Sequence, residues 1–183
     1  MPQDVLYSNA HLNNDEFIEQ AYDQVKYMLK ENVPPREILA RLATAAEVLT
    51  GTGASASILV LDEEGFLRNG ASPSLPSDYL QAIDHRLKPN ARVGTCAAAA
   101  ATGCVVITPD FCADDKWAEL RHLPLALGFV GGWSMPIKSP EGAVRGTFGT
   151  YFRDRRTPTP KERKGVDHLA PAAALVLSQR SWA

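Results

Sequence analysis

A chain of 183 residues, 45% apolar and 22% charged, fits one domain that can bury its own core, and it excludes disordered, collagen-like and mucin-like architectures. Nineteen lysines and arginines against 21 acids, a net charge of −2, leave no basic footprint for a phosphate backbone or an anionic membrane, so no nucleic acid and no membrane is expected as a partner. No run approaches the about 18 apolar residues of a membrane span, and Met1–Ala10 lacks a basic start followed by an apolar run, which points to the cytoplasm.

The first element is a helix over residues 14–32, where Phe17, Ile18, Ala21, Tyr22, Val25, Met28 and Leu29 recur at three- and four-residue spacing and form one apolar stripe. Pro34-Pro35 ends that run, and Ile38, Leu39, Leu42, Ala45, Ala46 and Leu49 mark a second helix closing near Gly51. Ala56–Leu61 reads as a strand, Asp62–Gly65 as a turn and Phe66–Asn69 as the returning strand. A helix over residues 78–87 follows a Pro/Ser loop, and the segment VGTCAAAAATG occupies residues 93–103. Cys104–Thr108 reads as a strand, residues 109–116 as a polar loop and Glu119–Leu127 as a helix. Residues 129–138 and 143–152 then form a hairpin in which Val144, Phe148 and Phe152 point one way and Arg145, Thr147 and Tyr151 the other. Thr159-Pro160-Lys161-Glu162 is a capping sequence for a final helix, whose stripe includes Val166, Leu169, Ala173 and Val176, and Pro171 is expected to kink it.

Cys96, Cys104 and Cys112 stand eight residues apart and match no zinc spacing, and His11, His85, His122 and His168 are isolated, so neither a disulfide framework nor a metal is expected. The basic cluster of Arg153, Arg155, Arg156, Lys161, Arg163 and Lys164 reads as a solvated face. The chemistry concentrates at the alanine run, where Gly94 and Thr95 deliver the start of a helix of small residues. The free amides and positive dipole end there suit a small anion or the negative edge of a larger ligand, while the alternative is that the alanines only let the helix lie close to a sheet. Trp133, Met135 and Pro136 offer apolar walls for such a pocket, and Trp117 reads equally as a lid residue or a packing residue.

The succession ILARLATAAEVL, SILVLD, VGTCAAAAATG, VVITPD, DDKW, LALGF, WSMPIKSPEGAVRGTFGTYF and TPTPKERKGVDHLA resembles a GAF domain across residues 36–180. It is most similar to the bacterial subgroup with a G-S-C-G-T-A-A-type segment and a W-S-T-P-I strand, found in sensor kinases, cyclic-dinucleotide enzymes and stand-alone nitrate sensors. The resemblance implies an α+β fold, a central antiparallel sheet of about six strands with the N- and C-terminal helices on one face and a ligand pocket on the other. It divides the chain into an N-terminal helix within residues 1–34, serving dimer contact, and a GAF domain over 35–180. Its implied function is non-catalytic sensing: a small ligand, such as nitrate, binds and regulates a partner signalling protein, for instance a histidine kinase, through a helical homodimer. The implied ligand-binding residues are Thr95, Cys96, Ala97, Trp133, Met135 and Trp117, with no catalytic residue, metal or cofactor beyond that unidentified ligand. Ala97 stands where the subgroup has a second glycine, and Gly131-Gly132 replace bulkier residues before W-S.

Some GAF proteins reduce free methionine-R-sulfoxide with a nucleophilic and a resolving cysteine. Cys96 falls at a resolving-type position, but GFVGGWSMPI occupies the place of the nucleophile's H-I-A-C-D-like segment. Haem or bilin binding lacks a motif-placed histidine or cysteine, and cyclic-nucleotide binding lacks an N-K-F-D-E-like signature. The remaining alternative is that the chain is a piece of a larger sensor kinase or cyclic-dinucleotide enzyme.

Overall fold

A computed structural model describes residues 13–179; the remainder of the expected 1–34 segment, residues 1–12, and position 180 lie outside them. α1 (Asn14–Lys30) starts at a reciprocal cap, in which the Asn13 side chain accepts from the Glu16 amide at 3.0 Å and the Glu16 carboxylate accepts from the Asn13 amide at 3.0 Å. α2 (Pro35–Thr50) opens with proline at its first position, where a missing N–H costs nothing, and closes at Gly51. β1 (Ser55–Leu61) and β2 (Leu67–Ala71) form the first hairpin, followed by α3 (Ser77–Ile83), α4 (Thr95–Thr102) and β3 (Val106–Thr108). A 3-10 turn at Asp115–Trp117 and α5 (His122–Ala126) precede the hairpin of β4 (Gly131–Lys138) and β5 (Val144–Phe152), and α6 (Pro160–Gln179) ends the described chain.

The sheet order is β2-β1-β5-β4-β3, with every neighbouring pair antiparallel. Among the described residues it has five strands rather than about six, and β3 is only three residues long. The helix expected over 119–127 is shorter, with Pro124 inside α5. The helix expected over 78–87 stops at Ile83, because the chain turns through His85 at a φ of 57°. α6 runs unbroken through Pro171.

One sheet face packs on α2 and α6, with α1 laid over both. The stripe of α1, including Phe17, Ala21 and Val25, is buried in this core of its own chain, so it is spent internally rather than held for a partner. Trp133, Met135, Phe148 and Phe152 belong to the same core. The opposite face carries α3, α4 and the 109–127 segment over a second core that includes Leu59, Tyr79, Phe111 and Tyr151. Each core buries a continuous apolar set, and at roughly 25 cal/mol per Å² this burial is what holds the layers together.

The end of β5 is tied to the start of α6. Arg156 donates twice to the Glu162 carboxylate, at 2.8 and 2.9 Å, and stacks on the Phe152 ring at 3.8 Å. Glu162 is 4% exposed and also accepts from the Thr159 amide at 2.7 Å, completing a capping box. The Glu162 hydrogen bonds push the Arg156 guanidinium further up. Three other members of the basic cluster also work inside the chain: Arg153 donates to the carbonyls of Gly53 and Leu127, Arg155 pairs with Asp110 at 2.6 Å and Lys164 with Asp15 at 2.9 Å.

Candidate ligand site

α4 reaches its place because small residues meet on both sides. Ala97, Ala98, Ala99 and Ala100 are buried, and beneath them the sheet offers Ser134, Thr147 and Gly149. A Cβ on Gly149 would stand 3.0 Å from the Cys96 sulfur, so the helix sits as close as a glycine permits. Gly94, with φ 60° and ψ 179°, turns the chain into the helix, and its amide donates to the Lys116 carbonyl at 2.7 Å. No side chain caps α4, so its first amides, on Thr95, Cys96 and Ala97, find no acceptor within the helix.

Thr95, Cys96, Ala97 and Trp117 line one narrow cavity of about 20 Å³ with Leu59, Tyr79, Leu120 and Tyr151. That is room for about one water. The polar side chains of its lining residues are hydroxyls, a thiol and an indole, all uncharged. Tyr79 donates to the Tyr151 hydroxyl at 2.8 Å; this phenol pair holds two protons but only one hydrogen bond between them, so one proton is left over among the described residues. Burial pushes both phenols well above their ordinary range and keeps them neutral. The Trp117 indole donates to the Thr95 hydroxyl at 2.9 Å. No Asp, Glu, Lys, Arg or His side chain is among the lining residues.

Trp133 and Met135 are not part of this arrangement. Strand alternation turns them into the helix-side core, while Ser134 between them faces Cys96. The walls expected from the WSMPI segment are supplied instead by Tyr79, on α3, and Tyr151, on β5. Tyr151 was legible as facing away from Phe148 and Phe152, but nothing local tied it to Tyr79, which is 72 residues away. The three cysteines are free. Cys96 is partly buried and Cys104 and Cys112 are exposed. Burial pushes the Cys96 thiol up despite the Ser134 and Thr147 hydroxyls beside it, so it is a poor nucleophile at neutral pH. Among the described residues no cluster of His, Cys, Asp and Glu could hold a metal, and no helix is long and apolar enough to cross a membrane.

A larger groove of about 560 Å³ runs between α6 and the β3 side of the sheet, lined by Tyr22, Met135, Pro171 and Leu175 among others. It is open and apolar, and it contains none of the α4 amides.

A family model described as GAF domain matches residues 32–178. Among solved structures, a domain ascribed to a two-component sensor histidine kinase of Sinorhizobium meliloti 1021 is 20% identical, with 78% of this chain and 90% of that chain covered at a TM-score of 0.63. The GAF domain of a phosphoenolpyruvate-protein phosphotransferase from Coxiella burnetii is 14% identical, covering 91% and 95% at 0.67. The type II free methionine-R-sulfoxide reductase of Thermoplasma acidophilum is 14% identical, covering 79% and 93% at 0.64. No curated protein matches the sequence. At these identities the structural likenesses speak to the fold alone.

Proposed function

The chain belongs to the GAF domain family, and from that premise we propose that it is a non-catalytic sensor that binds a small hydrogen-bond acceptor, such as nitrate, at the start of α4. The observation that carries this reading is the lining of the cavity: the start of α4, whose amides no side chain caps, the Tyr79–Tyr151 phenol pair with its surplus proton, and Trp117, whose indole donates to Thr95, border one space without a cationic or acidic side chain. A site built of neutral donors suits a ligand that only accepts, because such a ligand leaves no donor of its own unpaired in an apolar enclosure. The ligand-binding residues are Thr95, Cys96, Ala97 and Trp117, joined by Tyr79 and Tyr151.

On this reading residues 35–180 form the sensing domain, and the N-terminal helix within 1–34 contributes to a homodimer that regulates a separate signalling protein, such as a histidine kinase, in the cytoplasm. The structural likeness to a sensor-kinase domain supports that setting through the fold. The likeness to a methionine sulfoxide reductase does not favour catalysis, because the Cys96 thiol is held protonated and Cys104 and Cys112 are exposed outside the cavity.

The test is a thermal-shift series with sodium nitrate, sodium chloride, cyclic nucleotides and free methionine sulfoxide. Nitrate at 100 times its dissociation constant is expected to stabilise the protein by about 2.7 kcal/mol, a rise of several degrees, with chloride as the ionic-strength control. No rise with nitrate beyond the chloride control overturns the nitrate assignment. Turnover of methionine sulfoxide overturns the non-catalytic reading.

A further inference from the structure

The cavity has room for about one water, and nitrate is larger. Access to the α4 amides therefore requires something to move. The segment between Phe111 and Phe129 is anchored at both ends: Phe111 is fully buried and its amide donates to the Val130 carbonyl at 2.8 Å, while the Phe129 ring packs on Tyr151 at 5.4 Å. Between these anchors the chain holds only a 3-10 turn and the five-residue α5, and it places Trp117 over the start of α4.

We propose that Cys112–Leu127 is a lid over this cavity and that a chain of hydroxyls, Trp117–Thr95–Thr108–Asp114, is the latch that holds it shut. The proposal rests on the reading of the α4 start as the ligand site. The Trp117 indole donates to the Thr95 hydroxyl at 2.9 Å, Thr95 and Thr108 hydroxyls are 3.0 Å apart, and Thr108 reaches the Asp114 carboxylate at 3.4 Å. The indole can only donate and the carboxylate can only accept, so the two ends fix every proton between them: Thr95 donates to Thr108 and Thr108 donates to Asp114. Trp117 and Asp114 are on the lid, while Thr95 and Thr108 are on α4 and β3. Through this chain the lid offers the body one donor and one acceptor, and two buried threonines complete the circuit; beside it, the Lys116 carbonyl accepts from the Gly94 amide at 2.7 Å, which ties the same turn to the start of α4.

Lys116 holds the acceptor end in place, with its ammonium 2.7 and 2.9 Å from the Asp114 oxygens and its amide 3.0 Å away. At the far end of the segment the Leu127 carbonyl accepts from Arg153 at 2.7 Å, and two further polar ties are weaker by position. Arg155, 66% exposed, meets Asp110 outside the moving part, and Arg121 donates to the Cys112 carbonyl within it. A ligand that accepts at the start of α4 competes with Thr95 for the indole proton, so arrival of the ligand and release of the latch draw on the same donor.

Hydrogen exchange of the indole N–H groups, followed by 15N NMR, tests the latch without any ligand. Trp133 supplies the internal reference, because its indole is buried in the helix-side core, without a hydrogen-bond partner among the described residues and away from the lid. Thr95→Val keeps the shape of the side chain and removes its hydroxyl, and it is expected to speed exchange at Trp117 about tenfold while Trp133 is unchanged. Thr108→Val, which breaks the chain one link further on, is expected to do the same to a smaller degree. Unchanged exchange at Trp117 in Thr95→Val, or equal acceleration at Trp117 and Trp133, overturns the latch. Nitrate titration of the same samples judges the site separately: no nitrate-dependent shift in either protein removes the ligand reading, and the latch stands or falls on exchange alone.

Discussion

Tyr151 does two things with one oxygen: it accepts from Tyr79 and leaves a phenol proton for whatever enters the cavity. Tyr151→Phe removes both, and because the Tyr79 hydroxyl then loses its buried partner the expected cost is about 1–2 kcal/mol in urea unfolding, with the nitrate response reduced in the same variant. Asp114 governs the pH response of the lid. Burial pushes its carboxyl up, but the Lys116 ammonium and amide and the Thr108 hydroxyl outweigh this and hold it below its ordinary value. A carboxylate depressed on folding contributes stability above its unfolded pKa, about 3.9, and loses it as pH falls through the lower folded value. Trp117 indole exchange, corrected for the intrinsic pH dependence measured at Trp133, is therefore expected to accelerate in acid below about pH 4 and to stay level from there to neutrality.

At the scale of elements, α4 and the β5–α6 junction are the places where packing leaves least latitude. Gly149→Ala puts a methyl 3.0 Å from the Cys96 sulfur, so the thiol must give way or α4 must lift from the sheet. The expected loss is about 1–3 kcal/mol in chemical denaturation. Glu162→Ala leaves Arg156 without its bidentate partner and opens the α6 cap, at an expected cost of about 2–3 kcal/mol, most of it retained in a double-mutant cycle with Arg156→Met as coupling. The elements themselves were largely legible in the sequence: the 3.6-residue stripes of α1, α2 and α6 and the β4–β5 hairpin correspond to elements in the structure, while Val144, expected on the face of Phe148 and Phe152, packs on the cavity side because the register shifts at Ile137/Lys138. The site was only partly legible. Gly94-Thr95 announced a helix start, but Trp133 looked like its wall because sequence nearness to the WSMPI segment hides which face of β4 each side chain takes. Tyr79, Thr108 and Asp114 carried no local signal, since their roles arise from contacts made between separate elements.

The molecule as a whole is one sheet between two cores of different purpose. The helix-side core takes up the stripes of α1, α2 and α6, which leaves little apolar surface outside; Tyr27, at 64% exposure, and Val48, at 53%, are the large exceptions among the described residues. A homodimer must therefore form through outer faces rather than through the stripes read from the sequence. For the homodimer proposed above, Tyr27→Glu is expected to shift dimer toward monomer in sedimentation velocity, and a wild-type protein that sediments as a monomer overturns that proposal. The cavity-side core is smaller and more aromatic, with Phe111, Trp117, Phe129 and Tyr151 in contact around the lid.

These two cores meet wherever the strands alternate, and at Tyr151–Phe152 one peptide bond joins the cavity to the helical layer. Tyr151 lines the cavity and its neighbour Phe152 is buried among the helices, under the guanidinium that grips the first turn of α6. Because alternate residues of a strand face opposite ways, any main-chain shift that makes room beside the phenol is imposed on the phenyl ring one residue later. The strand works as a seesaw whose pivot is the sheet, and the length of the wire between the narrow chamber and the helical layer is one residue.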